Sequence, residues 1–197
     1  MTDFTLTFTG QEGLGLLMHN PRLADPLDEI VREMKKINKK GVNKTDEDHE
    51  KIARLEFGGG LYTDEILGPY IPGQNIMKCI VDGARNSKSG PKVYRGIIIK
   101  DDVCPLIYPG PRDTDKLYQA GFKLRTSMVV GGKRIMRTRP YFPQWEVSAA
   151  GSLDTAVLDV EQLKTYIEYA GSYIGLGDSR PGKTGRYGKF VATLEVH

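Results

Sequence analysis

The chain has 197 residues, of which 39% are hydrophobic and 27% are charged, values typical of a soluble globular protein with its own core. Its two cysteines and three histidines form neither a CxxC pair nor an HExxH motif, which argues against a zinc site, and no cofactor is predicted. The beginning, MTDFTLTFTG, lacks a basic segment followed by an apolar run, and no stretch suits a membrane span. We therefore expect a cytoplasmic protein without membrane contact, located in the bacterial host cytoplasm if a phage encodes it.

The first part of the chain predicts one strand and two helices. In FTLTFTG the apolar residues alternate with threonines, as in a half-buried strand. DPLDEIVREMKKI has helical apolar spacing, with Asp25 as N-cap and Pro26 at the first helical position. TDEDHEKIARLEF predicts a second helix, because Thr45 and Asp48 are spaced as a capping box and the glycines at 58–60 end it.

The middle of the chain alternates between helix and strand patterns. NIMKCIVDGARN carries apolar residues on one helical face, after the turn residues of GPYIPGQN. PKVYRGIIIK and VCPLIYPG are rich in valine and isoleucine and predict strands. FKLRTSMVV and KRIMRTRPYF flank Gly131-Gly132, which predicts a long β-hairpin, and QWEVSA predicts a further strand.

The last part of the chain predicts a helix, a loop and a strand. DVEQLKTYIEYAG has helical spacing, Asp159 and Gln162 as a capping pair, and Gly171 as its C-terminal stop. GKFVATLEVH alternates and predicts the final strand. Without residues 11–70, the order of elements is βαββαβ. We therefore expect an α+β protein: a single ferredoxin-like, RRM-like domain over 1–197, with a helical insertion at about 25–60 and a basic hairpin at about 123–139.

The loop before the last strand contains GDSRPGKT, which matches the phosphate-loop pattern GxxxxGK[ST]. In nucleotide hydrolases a strand precedes this loop and a helix follows it, so that the helix N-terminus faces the phosphates. Here the predicted order is reversed. We therefore expect a glycine-rich cationic loop that does not hydrolyse nucleotides.

Positive charge is concentrated in two segments. Seven Lys and Arg residues and no carboxylate lie between Lys116 and Trp145, and four more lie between Asp178 and Glu195. Such segments attract phosphate backbones, and aromatic residues such as Tyr141, Phe142 and Trp145 are candidates for stacking on unpaired bases. A hairpin of this kind is also consistent with a solvated edge that resists aggregation.

We expect the two segments to form one continuous trough for a single strand. The predicted nucleic-acid-binding residues are Lys123, Arg125, Lys133, Arg134, Arg137, Arg139, Arg180, Lys183 and Arg186 as phosphate contacts, with Tyr187 available for stacking. The predicted function is therefore non-enzymatic binding of single-stranded DNA or RNA. The alternative is a viral interaction or structural protein whose arginines bind acidic protein partners.

Three sequence blocks resemble those of the RAMP superfamily, the ferredoxin-like backbone subunits of CRISPR effector complexes. They are GLGLLMHNPRL after the first strand, IPGQNIMKCIVDGAR with its Pro-Gly turn and terminal small residue plus Arg, and IGLGDSRPGKTGRYGKF before the last strand. The resemblance covers roughly the first 25 residues, 68–100 and 159–197, and extends more loosely to uncharacterised bacteriophage proteins. The helical insertion is not part of the family pattern.

The resemblance implies that the glycine-rich loop and a basic groove hold single-stranded nucleic acid, that the hairpin acts as a thumb, and that subunits assemble head to tail along the strand. Some RAMP relatives cleave RNA with a His or Asp soon after the first strand, where this chain has His19, Asp25 and Asp28. The two aspartates also suit the capping and first turn of the predicted helix, so we predict no catalytic residue and leave an endoribonuclease as an alternative.

Overall fold

The computed structural model describes residues 1–130 and 132–197, without the side chains of 128–130 and 133. It is an α+β structure in which the sheets are mostly antiparallel. The chain forms two compact units. Unit 1 comprises residues 1–16, 63–109 and 142–197, and unit 2 comprises residues 17–62 and 110–141. The predicted helical insertion and the whole predicted hairpin therefore fall in the same unit.

The strands, in chain order, are β1 (Thr2–Gly10), β2 (Leu16–Leu17), β3 (Thr63–Asp64), β4 (Gly68–Pro72), β5 (Ile97–Ile99), β6 (Val103–Ile107), β7 (Lys123–Val130), β8 (Lys133–Phe142), β9 (Glu146–Leu153) and β10 (Phe190–Val196). The helices are α1 (Glu29–Asn38), α2 (Asp46–Gly60), α3 (Gly73–Arg85), α4 (Gly90–Gly96), α5 (Thr114–Gln119) and α6 (Val160–Tyr169). None of the described helices combines the length and hydropathy that a membrane span requires; the longest, α2, has 15 residues.

Unit 1 is built on a sheet with the strand order β10-β1-β9-β6-β4-β3, and β5 pairs with β9 beside β6. The alternation in β1 explains its central position, since Phe4, Leu6 and Phe8 are each at most 2% exposed. Helices α3 and α6 pack against each other closely. This close approach depends on Gly83, because a Cβ at this position would lie 2.5 Å from the carbonyl oxygen of Tyr166.

Unit 2 contains α1, α2, α5 and a three-stranded sheet in the order β2-β8-β7. The predicted hairpin strands are confirmed as the antiparallel pair β7 and β8, with Thr126 opposite Arg137. Of the predicted two-glycine turn, Gly131 lies outside the described residues. The predicted capping box of α2 is also confirmed: the Thr45 hydroxyl accepts from the Asp48 N–H, and the Asp48 carboxylate accepts from the Thr45 N–H.

Helix α1 begins later than predicted. Asp28 is its N-cap, and its carboxylate accepts a hydrogen bond of 2.9 Å from the Ile30 N–H. The predicted cap, Asp25, instead follows a 3-10 turn over Pro21–Ala24, and its carboxylate accepts from the Leu27 N–H at 2.8 Å. Both aspartates have capping chemistry, and the preceding 3-10 turn decides which of them starts the helix.

Two further sequence predictions were wrong in their boundaries. The segment predicted as the strand PKVYRGIIIK begins with helix α4, and only Ile97–Ile99 joins the sheet. Pro91 lies in the first turn of α4, where the N–H that proline lacks would have no hydrogen-bond acceptor within the helix. At the other end of the chain, Gly171 does not stop α6: a π-helical turn continues over Ala170–Ile174, and Gly175 ends it with a φ of +73°.

The close approach of α3 and α6 generates a stability prediction. We expect Gly83→Ala to lower the free energy of unfolding by about 1–3 kcal/mol, because the added methyl group forces the two helices apart. Urea unfolding of both proteins measures the difference.

Gly58→Ala is the matched control, since its Cβ would meet nothing closer than Thr114 at 3.8 Å. We expect it to be neutral or stabilising by up to about 1 kcal/mol, the gain in helix propensity of Ala over Gly. Equal unfolding midpoints for the Gly83 variant and wild type would contradict the packing argument.

Candidate nucleic-acid interface

The two units differ in charge. Unit 2 has 17 Lys and Arg against 11 Asp and Glu, a formal net charge of +6, whereas unit 1 has 11 against 14, a net charge of −3. The formal charge of +3 for the whole chain therefore conceals a strongly basic unit. A local excess of this kind, rather than the total charge, is what attracts a polyanion.

One hairpin arginine is neutralised by a buried carboxylate. Glu56 of α2 is 3% exposed; it accepts from the Arg137 guanidinium and, at 2.8 Å, from the Thr138 N–H. The expectation that no carboxylate compensates the hairpin is wrong at this position. The acid comes from 81 residues earlier in the chain, so the local sequence gave no sign of it.

Two other predicted phosphate contacts, Lys123 and Arg139, are held by the protein itself. The ammonium group of Lys123 lies 3.4 Å from the centre of the Tyr118 ring, a cation–π contact at the start of the hairpin. Arg54 lies over the same ring at 4.7 Å. Arg139 is 7% exposed, which argues against its predicted role as a surface phosphate contact.

Arg125 and Arg134 remain as exposed hairpin cations. The side chain of Lys133, another predicted contact, lies outside the described residues. Arg125 is opposite Thr138 in the ladder, so its side chain shares a face of the sheet with Thr138 and Met136.

This face contributes to a groove between α2 and the hairpin, which we call the hairpin groove. It has a volume of about 460 Å³. Its polar lining includes Lys44, His49 and Arg125, beside the Glu56–Arg137 pair. Its apolar lining is Ile52, Ala53, Ile135 and Met136. Cations thus lie next to an accessible apolar surface, since Met136 is 51% exposed.

Sequence reasoning missed Lys44, His49 and Met136 as members of a site. The signal for Lys44 is the basic run NKKGVNK between the two predicted helices. The ammonium group of Lys44 donates to the Asn38 side chain at 3.3 Å, which holds it at the groove. Met136 lies between charged residues in the sequence, and nothing in this pattern indicates that it lines a binding site.

A second, smaller pocket of unit 2 is also lined by the Glu56–Arg137 ion pair. Its volume is about 250 Å³, and its lining includes His19, Glu56, Arg137 and Arg139 with the apolar side chains of Leu23 and Met34. The pocket therefore brings a histidine next to two guanidinium groups and a carboxylate. The two aspartates that sequence reasoning grouped with His19 serve α1 and the turn before it.

The terminal loop, residues 175–189, is compact and internally hydrogen-bonded. The Leu176 N–H donates to the Gly188 carbonyl at 2.8 Å, and the Tyr187 N–H donates to the Ser179 carbonyl at 3.1 Å. Gly185 permits the close turn, because a Cβ there would lie 1.7 Å from the Ser179 oxygen. No helix follows Lys183 and Thr184 among the described residues, and β10 comes next, so the predicted helix-loop-strand order is confirmed.

The loop cations differ in their surroundings. Arg180 turns inward: its guanidinium donates to the Gly177 carbonyl at 3.2 Å and lies 3.8 Å from the Asp82 carboxylate of α3. The cationic loop therefore has a compensating acid for this arginine, from a distant part of the chain. Lys183 and Arg186 are exposed, and the Arg186 guanidinium lies 5.5 Å from the ring centre of half-buried Tyr187.

Two of the aromatic candidates belong to the core. Phe142 is 0% exposed and packs edge-on against Tyr108, and Trp145 is 4% exposed. Neither ring is accessible to a base, so their predicted stacking role is wrong. The hairpin cations lie in unit 2, whereas Arg180, Lys183, Arg186 and Tyr187 lie in unit 1. Their union in one trough stays a prediction.

No protein-family model matches this chain, and no curated protein matches it. Within the described part of the chain, no group of three or more His, Cys, Asp or Glu side chains is placed to hold a metal ion. Both cysteines are buried, and burial raises the pKa of the Cys79 and Cys104 thiols to about 12.

The buried carboxylate generates the second prediction. We expect Glu56→Gln to lower the free energy of unfolding by about 1–3 kcal/mol, since it removes a charge-assisted bond to Arg137 in a partly buried site. Urea unfolding measures the loss.

Glu50→Gln is the control on the same helix. Its side chain is 52% exposed and accepts from the Tyr118 hydroxyl, a bond that an amide oxygen preserves. We expect a change within about 0.5 kcal/mol. A Glu56 variant as stable as the Glu50 variant would show that the buried pair does not hold the hairpin.

Proposed function

We propose that this protein binds single-stranded DNA or RNA without catalysis, and that the hairpin groove is a contact site for the strand. The observation that carries the proposal is the groove itself: Lys44, His49 and Arg125 lie around an apolar surface in a unit of net charge +6. Counterion release from phosphates favours binding to such cations. A phage-encoded protein that coats a strand is the setting we propose for this activity.

The apolar lining favours a single strand over a duplex. In a duplex the base faces are stacked and only phosphates and groove edges are accessible, whereas an unpaired base offers its face to apolar and aromatic side chains. The groove volume of about 460 Å³ lies in the range of small-ligand sites, about 300–1,000 Å³. It therefore has room for a base beside its phosphate.

We further propose that unit 1 has a ferredoxin-like core. Strands β10, β1 and β9 are neighbours in this order, and β5 and β6 both pair with β9, all antiparallel. If β5 and β6 count as one interrupted strand, the order β1, α3, β5/β6, β9, α6, β10 is βαββαβ. This arrangement supports the resemblance to RAMP proteins.

Fluorescence anisotropy with labelled single strands tests the binding proposal. We expect Lys44→Gln and Arg125→Gln each to weaken binding about fivefold at moderate salt and to reduce the log-log salt slope by about 0.7, the value for one single-strand phosphate contact. Arg95→Gln, an exposed arginine of α4 in unit 1, is the control with the same change in charge and should bind as wild type does.

Absence of binding to any single strand at low salt would overturn the proposal and favour acidic protein partners instead.

The same titration on a long strand tests assembly. We propose that several copies bind side by side, and mass photometry should then show complexes that grow with strand length. A single copy on every strand would contradict that part.

A second candidate function rests on the pocket that holds His19. A histidine beside Arg137 and Arg139 provides a proton-transfer group and cations for a phosphorane, the two requirements of RNA cleavage by its own 2′-hydroxyl. Asp28 is a poor base by comparison, because its hydrogen bond with Arg22 lowers the pKa of its carboxyl below the ordinary value.

Incubation with labelled RNA tests this candidate. If the protein is an endoribonuclease, RNA is cleaved, its 2′-deoxy counterpart is not, and His19→Ala abolishes cleavage. His197→Ala is the control, since His197 is an exposed histidine of unit 1 that lines neither pocket of unit 2. Intact RNA with wild type, or equal cleavage by His19→Ala, would remove the candidate and leave the binding function.

A further inference from the structure

The π-helical turn that follows α6 presents a tyrosine to solvent beside the terminal loop. Tyr173 is 62% exposed, and its ring packs against that of Tyr169 at a centroid distance of 4.7 Å with a tilt of 37° between the ring planes. Sequence reasoning ended the helix at Gly171 and did not consider this residue. Turns of π-helix are uncommon and occur frequently at functional sites.

The turn is held firmly at both ends. At its start, Gly171 packs so closely on β10 that a Cβ would lie 2.3 Å from the Phe190 oxygen. At its end, the Gly175 N–H donates to the Ala170 carbonyl at 2.8 Å, and the Gly175 oxygen accepts from the Cys79 thiol at 3.3 Å. The Tyr173 ring therefore projects from a fixed backbone.

The same turn lies against the cationic part of the terminal loop. A Cβ on Gly182 would lie 3.2 Å from the Ile174 oxygen, so the backbone segments that contain Lys183 and Tyr173 are adjacent. Lys183 is exposed, as is Arg186 further along the loop. The backbone segment that carries an exposed aromatic ring thus lies next to the loop segment that carries exposed cations.

We propose that Tyr173 is a stacking surface for one unpaired base of a single strand, whose neighbouring phosphate is bound by Lys183. This inference rests on the proposed binding function and adds to it a site in unit 1 that is separate from the hairpin groove. The Tyr173 ring contacts Tyr169 and remains mostly exposed, so a base can reach it. A tyrosine loses little conformational entropy when it stacks, because it has only two side-chain torsions.

The test compares two single strands of equal length, one of deoxythymidine and one whose residues are abasic. Wild type and Tyr173→Ala are titrated with both by fluorescence anisotropy. We expect Tyr173→Ala to bind the thymidine strand at least about fivefold more weakly than wild type, the loss of one stacked base. On the abasic strand the two proteins should bind alike, because no base is present to stack.

Two further variants make the test specific. Tyr173→Trp should restore binding, and its fluorescence should fall when the thymidine strand is added, whereas Trp145 is buried in the core. Tyr94→Ala is the matched control, since Tyr94 is a 69% exposed tyrosine of α4 in the same unit, and it should bind as wild type does.

Three outcomes would overturn the inference. Tyr173→Ala as tight as wild type on thymidine, while Arg125→Gln is weakened, would refute the stacking role and leave the binding function in place. An equal loss on the thymidine and abasic strands would show that the residue supports the loop fold and does not contact a base. If wild type binds neither strand at low salt, the binding function and this inference both fall.

Discussion

The contact between Glu56 and β8 determines how unit 2 presents its positive charge. One carboxylate oxygen accepts from Arg137 and the other from the Thr138 N–H. These bonds join helix α2, in residues 17–62, to strand β8, in residues 110–141. Because the carboxylate is buried, removal of either partner leaves an unsatisfied polar group. The pair also forms a common wall of the hairpin groove and of the pocket at His19. Both candidate sites of unit 2 therefore depend on it.

A high density of positive charge in a sequence does not tell which cations are available to a ligand. Of the hairpin cations, Arg137 is paired, Lys123 lies over an aromatic ring and Arg139 is buried. The terminal loop repeats this division, with Arg180 directed inward to Asp82 and Lys183 and Arg186 in solvent. In the hairpin, exposed Arg125 lines the same groove as Met136; the exposed cations of the terminal loop follow a turn that carries the exposed Tyr173.

Local patterns predicted those parts of the fold that local chemistry decides. Strict alternation identified β1 and β10, and the capping residues Thr45 and Asp159 identified the starts of α2 and α6. The pattern failed at α4, where valine and isoleucine favoured a strand but the helical first turn of Gly90 and Pro91 decided the structure. For the site, the basic hairpin was predictable, but its acid partner was not, since a contact across 81 residues leaves no mark in a local window.

Unit 2 is assembled from two segments that residues 63–109 of unit 1 separate in the chain. Neither segment contains both members of the Glu56–Arg137 pair, so neither can complete the unit by itself. The hairpin strands can meet early because they are adjacent in sequence, whereas their union with α2 must wait for the closure of a long loop. Such long-range contacts slow folding, and until they form the hairpin arginine lacks its counter-charge. A break or deletion in 110–141 would therefore disturb the helices of the first segment as much as the hairpin itself.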